Sequence, residues 1–263
     1  MTRIPRDLIK HLEWIPGSAQ PPAIVPPSAP VLSPSAFSVE ELADRFVISP
    51  ISYRDGLYRV AWGKEQLDGG KKRPQDDWNT YLSGSEWRLA SGPLQVALLG
   101  ALYAERDGAY KDLVEKVRSA VDGDYDATTG NRAVTGTRVF YSPQGLDRVV
   151  HEYGTPDAYD LAAGIMGPDG WLKPGCGYDD AVEALVGMKD FTFLNEITQW
   201  VRQKDAYIWR INSTPSSEQQ RALVLGVVSD RFYIDAISSI VNGRPARGVA
   251  VEKISSVSTG VSR

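Results

Sequence analysis

Residues 93–123, PLQVALLGALYAERDGAYKDLVEKVRSAVDG, carry a helical period twice. Leu94, Leu98, Ala101 and Leu102 form one apolar stripe at that spacing. Leu113, Val114, Val117 and Val121 form a second. Gly108 and Gly123 punctuate the two runs, as helix ends require. A link this short predicts a helical hairpin.

Beyond the hairpin the apolar period changes. On the N-terminal side, GLYRVAW (56–62) alternates, with Tyr58, Val60 and Trp62 on one face. On the C-terminal side, GTRVFYS, DRVVHEYG and YDLAAGIMG read as strands separated by SPQG, GTPD and GPDG turns. YDDAVEALVGM and FTFLNEITQWVRQ read as helices. DAYIWRIN alternates again, and RALVLGVVS suits a strand buried on both faces. RGVAVEKI reads as a closing strand. Residues 232–241 satisfy either period: Phe232, Ala236 and Ile240 fit a helix, while Phe232 and Ile234 alternate with Tyr233 and Asp235.

Two segments before the hairpin carry specific expectations. Ser38 and Glu41 form a capping-box pattern, which predicts a short helix opening the main domain. Residues 63–92 are polar and glycine-rich, and read as a long, functional or mobile connection.

The first 36 residues differ in kind. A short helix is expected over 5–14. PGSAQPPAIVPPSAPVLSPSA (16–36) follows, where each proline fixes φ and removes a backbone donor. The apolar Ile24, Val25, Val31 and Leu32 are unusual in a pure spacer and point to docking on a protein surface. The expected architecture is therefore α+β: a helical hairpin packed on a mostly antiparallel sheet in a single domain over 37–263, preceded by an extended proline-rich arm over 1–36.

Composition narrows function. The chain has 263 residues, 42% of them hydrophobic, enough for a substantial core. Its formal net charge of −4 argues against a general nucleic-acid binder, which needs a basic excess to neutralise phosphates. No run approaches the roughly 18 apolar residues of a membrane span, and the N-terminus lacks a signal-peptide core, so the expected location is the cytoplasm. The single cysteine, Cys176, permits neither an internal disulfide nor a cysteine-pair zinc site. There is no P-loop, G-x-G-x-x-G, H-E-x-x-H or G-x-S-x-G. No cofactor is expected.

Four patterns remain as candidate chemistry. His151 is one of two histidines; in a strand it shares a face with Val149 and Tyr153, while Arg148 and Glu152 share the other. A histidine so placed is most often a buried polar group with a hydrogen-bond partner, and it is also the candidate catalytic residue. Asp122, Asp124 and Asp126 have the alternate spacing that opens a calcium loop. Ala127 and Ala133 stand where that loop needs glycine and glutamate. Cys176 lies between glycines just before a helix start. Lys71, Lys72 and Arg73 sit near Trp62, Trp78 and Trp87, but Asp76 and Asp77 cancel much of their field.

Seven tryptophans and twelve tyrosines, together with the apolar arm, lean toward association. The leading expectation is a non-enzymatic structural or interaction protein that associates with itself or another protein through the arm. The alternatives are an enzyme using His151 with carboxylates in a cleft, and a small-ligand-binding module. The enzyme needs a carboxylate within hydrogen-bond reach of His151. The binding module needs a large apolar pocket without that pairing.

Overall fold

A computed structural model describes residues 37–125, 132–236 and 243–256. Ile24, Val25, Val31 and Leu32 lie outside the described residues, as do residues 237–241 of the 232–241 stretch that satisfies either period; the start of that stretch belongs to the strand Arg231–Asp235.

The elements run β1 (Ser38–Glu41), β2 (Arg45–Tyr53), β3 (Gly56–Gln66), α1 (Gln75–Leu82), β4 (Arg88–Leu89), α2 (Gly92–Ala104) and α3 (Lys111–Asp122). Then follow β5 (Ala133–Tyr141), β6 (Asp147–His151), β7 (Tyr159–Ala163), β8 (Gly170–Trp171), α4 (Asp179–Val186), α5 (Phe191–Arg202), β9 (Asp205–Trp209), β10 (Gln219–Val228), β11 (Arg231–Asp235) and β12 (Arg247–Ser256). They build two sheets. The first, in order β1-β2-β3-β12-β4, is antiparallel throughout. The second, β7-β6-β5-β10-β11-β9-β8, is antiparallel except where β9 and β11 run parallel. The α+β expectation holds, with two sheets in place of one.

α2 explains the difference. It buries not one stripe but most of its circumference, Val96 and Leu99 as well as Leu94, Leu98 and Leu102. A helix apolar all round must be covered all round. Here β2 of the first sheet, β5 of the second, α4 and α5 cover it. α3 is truly amphipathic, buries Val114, Val117 and Val121, and rests on β1, β3 and α5. The two expected helices therefore form, but their main supports include strands of the first half of the chain, not a second-half sheet alone.

The N-terminus of α2 is fitted closely. Ser91 caps it, its Oγ accepting from the Leu94 N–H. A Cβ at Gly92 would stand 2.3 Å from the Leu185 carbonyl oxygen, so only glycine lets α2 approach the end of α4 there.

Two local expectations fail. Residues 38–41 form β1 rather than a helix: Val39 pairs with Ile48 and is buried, and Ser38 Oγ bonds the Ser49 carbonyl instead of capping. Pairing with β2 outweighs the local cap. Residues 63–92 are not a long open connection, since β3 runs on to Gln66, a 3-10 turn covers Leu67–Gly70, and α1 and β4 interrupt what remains. α1 forms because Gln75, Trp78 and Leu82 share one face, and Trp78 is wholly buried on the outer side of the second sheet with Val134, Val224 and Tyr233. That layer also buries β10 on both faces, as its apolar run requires. Among the described residues no helix is long and apolar enough to cross a membrane.

Candidate functional site

β6 ends at His151 because Glu152 adopts a left-handed backbone, φ +52°, and turns the chain out of the sheet. Strand alternation therefore stops there. Arg148 pairs with Asp160 on β7 rather than with Glu152, and Tyr153 leaves the His151 face to accept from Arg138 Nη1 at 2.7 Å.

His151 is fully buried. Its Nε2 lies 2.9 Å from the Ala184 carbonyl oxygen and its Nδ1 2.8 Å from Thr137 Oγ1. A carbonyl only accepts, so Nε2 carries the hydrogen and Nδ1 accepts from the threonine hydroxyl. Thr137 Oγ1 in turn accepts from the Gly92 N–H at 2.9 Å. Burial pushes the imidazole down to about 4; the bond to Ala184 opposes this, and the Arg54 charge adds to it. The ring is a neutral tie between β5, β6, α2 and α4, with both nitrogens engaged and no carboxylate on either.

Glu152 is also buried, one residue on. Its Oε1 accepts from Tyr53 at 2.7 Å and from Ser91 at 2.8 Å. Its Oε2 faces Arg88 Nε at 3.4 Å, an ion pair without a hydrogen bond. The Tyr159 hydroxyl reaches that of Tyr53 at 3.4 Å. Burial first, then the Glu152 charge, raises the pKa of Tyr53; burial raises that of Tyr159 too. Both phenols therefore remain donors.

These residues stand behind and within a groove of about 720 Å³. Tyr53, Tyr159 and His151 form part of its wall, and Pro93, Ala97, Leu146, Leu161, Ala162 and Ala184 supply an apolar lining. Leu146 and Leu161 are 64% and 40% exposed, so the apolar surface continues to the rim. Arg54, in the left-handed region at φ +52°, lays its guanidinium 4.0 Å from the centre of the Tyr159 ring.

The acidic run does not converge. Asp122 Oδ2 pairs with Arg202 at 2.6 Å, whereas Asp124 takes Arg247 at 2.6 Å and Gln66 at 2.8 Å. Asp126 lies outside the described residues. Among the described residues no cluster of three or more His, Cys, Asp or Glu is arranged to hold a metal ion. Cys176 is a free, half-buried thiol. Arg73 pairs with Asp68 and covers Trp78 and Tyr81, while Trp62 and Trp78 belong to the core. A second groove, about 900 Å³, runs along Glu41, Lys64, Lys116, Asp124 and Arg247, whose charges neutralise one another.

Sequence reasoning placed His151 but missed Tyr53, Ser91, Arg54 and Tyr159. Nothing local marks them, because β2, α2 and β7 meet only in the folded chain. Neither a known protein family, nor a curated protein, nor a solved structure matches the chain.

Proposed function

We propose that the folded body is a non-enzymatic binding module that takes a small apolar molecule in the groove beside His151. The carrying observation is that groove's makeup: a volume in the usual range for small-ligand sites, a largely apolar wall, and an imidazole whose two nitrogens are already bonded. A general base needs a free nitrogen aimed at substrate. His151 has none, both nitrogens being bonded to Thr137 and Ala184. Ser91, whose hydroxyl donates to Glu152, is fully buried. Two left-handed non-glycine residues, Arg54 and Glu152, each directly follow a wall residue. Such strain concentrates at functional sites.

The test is titration of the full chain with N-phenyl-1-naphthylamine, a neutral fluorescent probe. Saturable binding that weakens about tenfold in Leu146→Asp and Leu161→Asp supports the groove, that factor being the loss of much of one apolar side chain's burial. Absence of saturable binding, or equal binding by both variants, overturns it. Both leucines are exposed, so the variants should fold.

A second reading concerns residues 1–36. The described residues belong to one unit that begins after residue 35. Ile24, Val25, Val31 and Leu32 lie outside it and are proposed to carry self-association, or association with another protein, in the cytoplasm.

A further inference from the structure

Arg54 differs from the other charged groups at the groove. Asp180 and Glu183 on the rim are both met by Lys189, at 3.8 and 2.9 Å. Asp55, the neighbour of Arg54, is taken by Lys253 at 2.9 Å. His151 is held between Thr137 and Ala184. Among the described residues Arg54 forms no ion pair; its guanidinium lies over the face of Tyr159. Its position is also costly. It sits in the tight turn between β2 and β3 at φ +52°, where glycine, asparagine or aspartate is favoured and a long side chain adds strain. The guanidinium lies over Tyr159, at the mouth of an apolar groove. Beside it stands the Tyr159 hydroxyl, whose hydrogen is engaged only in a long 3.4 Å contact with the Tyr53 oxygen, which a ligand carboxylate would replace.

From this juxtaposition we infer that the groove selects amphiphiles with a carboxylate head, the head on Arg54 and Tyr159 and the apolar body along Leu161, Ala162 and Ala97. Guanidinium and carboxylate match in shape and charge, and a phenol adds a third donor. The inference rests on the groove reading above and adds the head group to it.

The experiment is displacement of N-phenyl-1-naphthylamine from the full chain by decanoate, 1-decanol and decylamine near neutral pH. Decanoate should displace it at about tenfold lower concentration than decanol, the equivalent of one charge-assisted hydrogen bond. The gap should narrow as salt rises. In Arg54→Gln and Arg54→Asn the two affinities should converge. Arg54→Asn should do so without lowering the midpoint of thermal unfolding, since asparagine tolerates the turn. Probe binding with decanoate no better than decanol in the wild type overturns the head group and leaves the groove standing. So does a preference for decylamine, which would assign the rim to Asp180 and Glu183. Failure of the probe itself to bind overturns the groove, and the head group with it.

Discussion

The hydroxyl of Tyr53 donates to the carboxylate of Glu152 across 2.7 Å, joining two residues 99 positions apart. Ser91 donates to the same oxygen, so three elements meet on one buried charge. Tyr53→Phe removes a donor and leaves that charge poorly solvated, which should destabilise the fold by about 1–3 kcal/mol. Urea unfolding measures it. Because both donors share Oε1, the Tyr53→Phe/Ser91→Ala double variant should depart from additivity by at least about 0.5 kcal/mol. Strict additivity would mean that the two hydroxyls act independently.

His151 sets an acid limit. Its folded pKa, about 4, lies below the unfolded value near 6.5, so the unfolded chain binds more protons between them. Stability from the neutral ring is complete above about pH 6.5 and falls away as the pH drops toward 4. The full span corresponds to roughly 3 kcal/mol. Carboxylates such as Glu41, drawn down to about 2 by Lys116 and Lys64, act at lower pH. The wild type should therefore lose more stability between pH 6.5 and 4.5 than His151→Asn, and parallel curves would contradict it.

Leu98 lies at the covered centre of α2. Leu98→Ala removes its packing and leaves a cavity, at a loss of about 3 kcal/mol. Leu113→Ala, on the half-buried side of α3, should lose much less. Chemical denaturation of both variants checks the ranking; equal losses would mean that α2 is not the covered centre of the fold.

Removal of residues 1–36 should lower particle mass in light scattering while circular dichroism stays that of a folded domain. An unchanged mass per particle would remove the arm from any part in assembly.

Periodicity made α2, α3, α4, α5, β3, β9, β10 and β12 legible in the sequence, because each buries a face whose spacing follows from its own backbone geometry. It also marked His151 as a buried, bonded histidine. It could not say what covers a face. Ser38–Glu41 looks like a capped helix until β2 lies beside it, and 75–82 looks like loop until Trp78 finds the second sheet. Strand alternation places Glu152 outward, yet the turn at φ +52° carries it inward to Tyr53 and Ser91. The groove is more dependent still on tertiary structure. Its wall comes from β2, β6, β7, α2 and α4, which no local pattern relates. Local geometry determined which residues seek cover, and long-range packing alone decided which ones meet.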